Sequence, residues 1–239
     1  AGAAATPAPP PAVAGAAFDA RLSSPLAAWG GLPAGPAAAE WAAVEASGVR
    51  RVFVVCGSLT GYDVEWHLQN YAKGMSFDIV LFEPNPKNLP WLHENLKRFE
   101  ALYTTDGRRL NTTVLQQAVW DRSGVAAFRW DESDSPEGTK FPGGSLGEFA
   151  EARESQETLV ETVDLAAWLP SEVREEDYVV MKVDIEGAEF DVLEALLAKG
   201  ALRLVDEISV EWGLGAPARK QRLEAELLRT FGLSYTMLV

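Results

Sequence analysis

The chain has 239 residues, a net charge of −14 at pH 7 and an isoelectric point near 4.6. This length suffices for one α/β domain with a substantial core. The acidic balance and the lack of any basic stripe argue against a nucleic-acid partner, and no apolar run reaches the ~20 residues of a membrane-spanning helix. Cys56 is the only cysteine, which excludes a disulfide framework and a thiolate metal site.

The N-terminal region differs in composition from the rest of the chain. Seven of the 14 prolines precede residue 40, among many Ala and Gly residues. Such a segment cannot build a packed core, so we predict a largely disordered tether over 1–36 and one domain over 37–239. The sequence begins with Ala1, and a processed N-terminus would fit a secretory lumen or an organelle. Asn111 opens a glycosylation triplet, which fits the lumen, but the compartment stays open.

A glycine turn follows the first predicted strand. After a short predicted helix over 37–47, residues 49–56 form an apolar strand that leads into GSLTG, Gly57 to Gly61, and then into a helix. A glycine turn between a strand and a helix lets a ligand approach the backbone and directs the N–H groups of the helix toward it. A simple tight turn explains the same pattern equally well.

An acidic residue ends the second predicted strand. The strand covers 78–82 and is followed by Glu83, about 20 residues beyond the glycine turn, where a carboxylate can accept both hydroxyls of a ribose. A helix cap or a surface charge is the alternative reading. The next helix is predicted to begin at Pro86 or Pro90, because both suit a first turn.

The middle of the chain predicts short strands around a long acidic loop. Residues 131–157 contain eight acidic and two basic side chains and few apolar ones, so we expect an excursion over the active-site face. The other elements predicted here are strands at 114–120, 126–130 and 159–163, and a short helix after Asp164 that Pro170 ends.

A buried strand and an acidic turn form the most informative stretch. Residues 178–183 are almost entirely apolar, which is typical of a central strand in a parallel sheet. Asp184 and Glu186 follow at its carboxyl end, then Gly187 and a predicted helix. Two carboxylates here lie where α/β proteins bind ligands, although each could also serve only as a cap.

The last predicted elements are a strand over 204–212 with Glu211 near its end, a helix opened by Pro217, and a strand at the C-terminus. Alternating strands and helices predict a Rossmann-like, doubly wound, mostly parallel sheet with helices on both faces. That topology places four residues along one edge: Gly57, Glu83, Asp184 and Glu211. His67 and His93 are predicted on helices away from this edge and have no assigned role.

Three stretches together carry a family resemblance: GSLTG at 57–61, FEPNP at 82–86 and MKVDIEGAEFDVLE at 181–194. On these the chain resembles the FkbM family of class I S-adenosylmethionine-dependent methyltransferases, from about residue 49 to the end. The spacing of Lys, Asp, Glu, Gly and Glu in the third stretch is the most specific feature. The resemblance implies a class I methyltransferase fold and transfer of a methyl group to a hydroxyl of a sugar, glycan or similar small acceptor.

The resemblance also implies a set of site residues. Contacts with S-adenosyl-L-methionine are expected from Gly57, Ser58, Gly61, Glu83, Ala118, Val119 and Asp184. Glu83 would hold the ribose, and Ala118 and Val119 would lie near the adenine. Either Asp184 or Glu186 would accept the proton of the acceptor hydroxyl. No metal ligand is assigned, because the spacing of the carboxylates does not demand a cation.

The chain departs from the family pattern at several positions. Val55 stands where an acidic residue is usual, Leu59 where a polar residue such as Asn is common, and Trp212 where a His is usual. The chain also ends after one predicted strand where the family has a hairpin, which leaves open whether a last strand is missing. The alternatives are a catalytically inactive, methyltransferase-like scaffold within a larger assembly, or a nicotinamide-dependent Rossmann enzyme. The latter is disfavoured because 57–61 lacks GxGxxG.

Overall fold

The computed structural model describes 46–61, 64, 65, 67, 76–103, 109–130, 144–146, 156–213, 216–231 and the backbone of 235–238. The predicted tether over 1–36 and most of the predicted helix over 37–47 and of the acidic loop over 131–157 lie outside these residues. Within them, no helix is both long enough and apolar enough to cross a membrane.

The described residues form ten strands, four α-helices and one short 3₁₀ helix. The strands are β1 (Arg51–Cys56), β2 (Phe77–Phe82), β3 (Leu110–Leu115), β4 (Gln117–Trp120), β5 (Gly124–Trp130), β6 (Gly144–Leu146), β7 (Gln156–Asp164), β8 (Tyr178–Val183), β9 (Glu207–Glu211) and β10 (Tyr235–Leu238). The helices are α1 (Leu89–Tyr103), α2 (Leu165–Glu172), α3 (Glu189–Ala198) and α4 (Pro217–Phe231), and the 3₁₀ helix is Ala201–Leu204.

Six parallel strands form the main sheet, in the order β10-β9-β8-β1-β2-β3. The central strand β1 pairs with β8 on one side and β2 on the other, so that Val54 lies between Met181 and Val80. All residues of β1 and β8 are buried, as their apolar runs predict. The predicted α/β architecture, with a parallel sheet between helices, is confirmed.

The two faces of this sheet carry separate cores. On one face Val52 and Val54 of β1 pack in a cluster with side chains of α2, α3 and α4: Leu165, Leu169, Leu193, Leu196, Leu223 and Leu227. On the other face Phe53 and Val55 pack with Leu92, Leu96 and Phe99 of α1. Each fully buried side chain of this kind contributes roughly 1.5–3 kcal/mol, so the alternation along β1 fixes which helices cover which face.

Two of the three prolines in the described helices lie at helix starts. Pro90 lies in the first turn of α1 and Pro217 opens α4, where a missing amide hydrogen leaves no helical bond unmade. The prediction that Pro170 ends the preceding helix is wrong, because α2 continues to Glu172. Pro170 lies in the last turn, so it removes one hydrogen bond without blocking the residues that follow it.

A second sheet, with the order β4-β7-β5-β6, corrects the predicted middle region. The predicted single strand over 114–120 is wrong, since β3 ends at Leu115 and β4 begins at Gln117 in the other sheet. β7 pairs with β4 in parallel on one side and with β5 antiparallel on the other. β4 therefore depends on β7 for its place in the second sheet. β6 interrupts the predicted loop, because Leu146 is buried beside Phe128.

The strand predicted over 204–212 is shorter than expected. Residues 201–204 form the 3₁₀ helix, and β9 begins only at Glu207, so the predicted strand over 204–212 began three residues too early. β10 pairs in parallel with β9. Within the described residues the main sheet contains parallel pairs only.

Candidate functional site

The site is built at the carboxyl edge of the main sheet, where the strand order reverses. From β1 the chain proceeds to β2 and β3 on one side, and later to β8, β9 and β10 on the other. The ends of β1 and β8 therefore form a topological switch point, the usual ligand crevice of a doubly wound sheet. The turns that follow β1, β2, β8 and β9 meet here.

Gly57 allows the two central turns to approach each other. Its φ is +83°, and a Cβ atom added to it would lie 1.8 Å from the carbonyl oxygen of Asp184. The Asp184 amide donates to the Cys56 carbonyl at 3.0 Å, which holds the two backbones together. A glycine is therefore required at position 57 by the approach of protein backbone, whatever ligand binds nearby.

The amides of the glycine turn are hydrogen-bonded within the protein. Gly57 and Ser58 both donate to the Phe82 carbonyl, at 3.1 and 3.0 Å, and Gly61 donates to the Ser58 carbonyl at 2.7 Å. The Ser58 hydroxyl also donates to Phe82. These bonds fasten the turn to the end of β2 and leave those amides directed at protein acceptors. The expectation that amides of the following helix point at a ligand concerns the residues after Gly61, of which 62 and 63 lie outside the described residues.

Glu83 is buried between the same two turns. Its Oε2 accepts from the Leu59 amide at 2.7 Å, and its Oε1 accepts from the Asn85 amide at 2.9 Å and the Asn88 side chain at 3.2 Å. The side chain is only 4% exposed, and burial raises its pKa to about 7 although all three donors lower it. Since a carboxylate oxygen has two lone pairs, Oε2 keeps one acceptor position for a hydroxyl.

Leu59 shows how tightly Glu83 holds the glycine turn. Its φ of +48° is left-handed, which costs a residue with a Cβ roughly 1–2 kcal/mol. The hydrogen bond from its amide to Glu83 offsets this cost. Glu83 therefore fixes the shape of the turn in addition to any role in binding.

The two residues expected near the adenine lie in β4, in different apolar clusters. Ala118 packs with Phe128, Trp130 and Ala188, whereas Val119 belongs to the main core. Both are almost completely buried. β4 begins two residues after the end of β3, and the expected contact of Ala118 and Val119 with adenine stays a prediction.

The acidic turn after β8 separates its two carboxylates. Asp184 Oδ2 accepts from the ammonium of Lys182 at 2.7 Å, and Lys182 is 5% exposed. Glu186 is exposed and adopts a left-handed φ of +54°. Asp184 is thus drawn toward the sheet, while Glu186 lies at the surface of the turn, so the two do not form a single paired group.

Glu189 shapes this turn from inside. Its side chain is fully buried, and its carboxylate accepts from the amides of Ile185 at 2.9 Å and Gly187 at 2.8 Å. Burial raises its pKa. A Cβ on Gly213 would lie 2.7 Å from the Gly187 amide nitrogen and 3.1 Å from the Glu189 carboxylate, so the segment after β9 packs closely on the turn beside Glu189. Glu189 is therefore a structural residue that holds the acidic turn in shape.

Glu211 ends β9 beside Asp184. Burial raises its pKa to about 7, helped by the charges of Asp184 and Glu186 and by a hydrogen bond with Asp184, and opposed by Lys182. The prediction that Glu211 shares the edge with Asp184 is confirmed. Within the described residues no group of three or more His, Cys, Asp or Glu side chains could hold a metal ion, and Asp184, Glu186 and Glu211 are among those residues.

A family model described as "Domain of unknown function (DUF7870)" matches residues 80–226, more than half of the chain. The chain belongs to this family. No curated protein and no solved structure matches the chain. The DUF7870 match begins within β2 and ends within α4. It therefore includes Glu83, the acidic turn and Glu211, but not the glycine turn.

The candidate site also includes three residues that have no role in the sequence-based expectations: Lys182, Glu189 and Glu211. Lys182 is the clearest case, because a lone cation in a buried apolar strand needs a partner. In the pairing register Lys182 lies beside Val55 of β1. An acidic residue at position 55 would compete for the Lys182 ammonium, whereas Val55 leaves Asp184 as its carboxylate acceptor. Trp212 packs on Phe190 with ring centroids 5.3 Å apart.

Proposed function

We propose that this chain is an S-adenosylmethionine-dependent O-methyltransferase of FkbM type with a class I methyltransferase fold. The observation that carries the proposal is the meeting of four carboxyl-end positions at the switch point of the sheet. Gly57 and Asp184 are in backbone contact there, Glu83 lies one strand to one side, and Glu211 lies one strand to the other. These are the positions at which the resemblance expects the cofactor and the acceptor.

The charges of this edge suit the proposed cofactor. The sulfonium and ammonium groups of S-adenosylmethionine are cationic, and Asp184, Glu186 and Glu211 lie at this edge, where Lys182 donates a hydrogen bond to Asp184. The remaining lone pair on Glu83 Oε2 can accept a ribose hydroxyl. When bound, the cofactor supplies an electrophilic methyl group. The protein has to align the acceptor hydroxyl with it, exclude water and accept one proton.

Binding of S-adenosylhomocysteine tests the cofactor assignment. Isothermal titration calorimetry of the chain should detect one site, and Glu83→Gln should weaken it by about tenfold or more, because the amide offers one acceptor oxygen in place of two. Glu176→Gln is the matched control, since Glu176 is exposed in the turn before β8, at the opposite edge of the sheet. Both variants are first checked for an unchanged circular dichroism spectrum. Equal affinity of wild type and Glu83→Gln would remove the ribose contact from the proposal.

Methyl transfer is measured with a tritium-labelled donor and a fractionated extract that contains sugars, glycans and small hydroxyl compounds. We expect label in an acceptor fraction, and we expect it to be lost when the acceptor hydroxyls are chemically blocked. Transfer to amines or thiols only would contradict O-methylation while leaving the cofactor assignment intact.

A second candidate, a catalytically inactive scaffold, is favoured by one observation. Both oxygens of Glu83 and the amides of Gly57, Ser58, Leu59 and Gly61 are already bonded within the protein. A site that has lost its ligand would keep such bonds as structural supports. Under this reading the full chain does not bind S-adenosylhomocysteine in the titration above. A titration with NAD⁺ under the same conditions tests the nicotinamide alternative.

A further inference from the structure

Lys182, Asp184 and Glu211 form a connected row across β8 and β9. The ammonium of Lys182 donates to Asp184 at 2.7 Å, and the Glu211 carboxyl hydrogen-bonds to Asp184 from the neighbouring strand. Two adjacent carboxyl groups resist simultaneous ionisation, so such a pair tends to hold one proton. Since Lys182 donates to Asp184, the proton of the pair belongs on Glu211.

The two carboxyl groups differ in access. Lys182 and the adjoining oxygen of Asp184 form a largely buried ion pair, with side-chain exposures of 6% and 23%. Glu211, at the end of β9, is partly buried by its neighbours and still reaches solvent. A proton can therefore reach Glu211 from an acceptor on one side and leave it to solvent on the other, whereas Asp184 is held by its neighbours.

Further buried polar side chains lie on this face, among them Ser209 and Glu207, which accepts from the Tyr178 hydroxyl. Ser209 precedes Glu211 by two residues on β9 and pairs in register with Lys182, so its side chain projects from the same face as both. It is 1% exposed, and its hydroxyl has no hydrogen-bond partner within the described residues. A buried hydroxyl of this kind usually bonds a bound water or ligand, which marks this row as more than an internal ion pair.

We propose that Glu211, paired with Asp184, takes the proton of the acceptor hydroxyl, and that Lys182 is a positioning residue that holds Asp184 in place. This inference rests on the proposed function and deepens it. It replaces the expectation that Asp184 or Glu186 accepts the proton.

The proposed step balances without a further reactant. The acceptor oxygen forms a bond to the methyl carbon as the carbon–sulfur bond breaks, and the electron pair of that bond stays on sulfur. The O–H proton passes to the ionised Glu211 carboxylate. The products are a methyl ether, S-adenosylhomocysteine and protonated Glu211, which returns its proton to solvent.

The surroundings of Glu211 set its protonation near neutral pH. Burial, Asp184 and Glu186 raise the pKa of Glu211 to about 7, and Lys182 opposes them. Glu189 is bound to the turn amides, and Arg219 of α4 is engaged by Asp191 and Glu194 of α3. A base that titrates close to the working pH is the most effective one for this kind of transfer.

A ligand-free experiment tests the pair itself. In a ¹³C NMR titration of carboxyl-labelled chain, we expect a carboxyl with an apparent pKa near 7 that disappears in Glu211→Gln. Glu83 titrates in the same range, so Glu83→Gln identifies the second signal. Lys182→Gln should move the Glu211 titration to higher pH, because the opposing cation is gone. A Glu211 carboxyl that titrates at its ordinary value in wild type would overturn the pairing.

The kinetic arm tests the role. We expect wild-type kcat/KM for methyl transfer to rise through pH 7 and then level off. Glu211→Gln should lower kcat about 10²–10⁴-fold and remove this rise, while S-adenosylhomocysteine binding stays within a few-fold of wild type. Glu211→Asp should restore part of the rate and the rise, and Glu176→Gln should change neither. Lys182→Gln should lower kcat with little change in KM for the donor and shift the rise to higher pH.

The outcomes separate the two proposals. Full activity of Glu211→Gln in a working methyltransferase would overturn the assigned role and leave the proposed function standing. A wild-type chain that neither binds S-adenosylhomocysteine nor transfers methyl groups would end the proposed function and the assigned role together. In that case the NMR titration still shows whether the carboxyl pair exists.

Discussion

The buried Glu83 gives the chain a pH dependence of stability whose sign is unusual for a carboxylate. Burial raises its pKa from an ordinary 4.5 to about 7 in the folded chain. Between these two values the folded chain keeps a proton that the unfolded chain has released, so the free energy of unfolding falls as pH rises. The stabilisation is fully present below pH 4.5 and is lost as pH rises through 7.

The size of the effect follows from the same two values. One pKa unit corresponds to about 1.4 kcal/mol, so the change across the window amounts to roughly 3 kcal/mol. This is a large part of the 5–15 kcal/mol that typically separates folded from unfolded domains. This pH dependence arises because the three hydrogen-bond donors to Glu83 do not fully replace the hydration that the carboxylate loses on burial.

Urea denaturation followed by tryptophan fluorescence, at half-unit steps from pH 4 to 8, measures this dependence. The quantity to compare is the free energy of unfolding of wild type minus that of Glu83→Gln. Contributions of other titrating groups, such as His67 and Glu211, are present in both proteins and cancel. We expect the difference to fall by roughly 3 kcal/mol between pH 4.5 and 7 and then to stay constant.

Glu176→Gln, which changes an exposed carboxylate far from this site, is measured beside it as the matched control. A flat difference for Glu83→Gln, or one that rises with pH, would refute the reasoning. It would mean that Glu83 is already ionised in the folded chain at pH 5 and that its three hydrogen bonds outweigh the cost of burial.

Three further predictions concern single residues. Gly57→Ala should cost more than about 3 kcal/mol in urea denaturation or prevent folding, because its Cβ would lie 1.8 Å from a carbonyl oxygen; Gly48→Ala, also at positive φ but with nothing within 4 Å, should cost only about 1 kcal/mol. His67 is buried against Phe53 and its pKa is lowered to about 3, so the stability that neutral His67 gives is present above pH 6.5 and lost as pH falls toward 3. Relative to His67→Gln, the wild type should lose up to roughly 5 kcal/mol of unfolding free energy across that range. Equal acid sensitivity of the two proteins would contradict this. Glu189→Gln should lower stability by about 1–3 kcal/mol in thermal melting, because one of the two turn amides loses its acceptor; an unchanged melting temperature would mean that the turn does not depend on this carboxylate.

The elements with strong local signals were predictable. The apolar runs of β1 and β8 identified the centre of the sheet, and Pro90 and Pro217 marked the first turns of their helices. From these, parallel connections were enough to place Glu211 and Asp184 at one edge. This part of the fold follows from hydrophobic pattern and chain connectivity alone.

The second sheet was not predictable, because its strands are defined by distant partners. β4 has only four residues and depends on β7, which lies more than 30 residues further along the chain. No local pattern separates the end of β3 from the start of β4 at Gln116. Short strands of this kind are stabilised by cross-strand neighbours more than by their own sequence.

The internal partners of Glu83 were also beyond sequence reasoning. Glu83 was expected at the end of its strand, and it lies there. Its contact with the Leu59 amide depends on the left-handed backbone of Leu59. The presence of a leucine does not predict that conformation. The pairing of Asp184 with Lys182 depends on which side of β8 each side chain projects, and on Val55 in the adjacent strand.

The two glycines that flank the acidic turn restrict how this protein can change. Gly57, after β1, packs directly against this turn, and so does Gly213, after β9. A side chain at either glycine would collide with the backbone of this turn, since the added Cβ would lie 1.8 Å from the Asp184 carbonyl oxygen or 2.7 Å from the Gly187 amide nitrogen. Change at this edge of the sheet is therefore restricted to substitutions that leave both close backbone contacts in place.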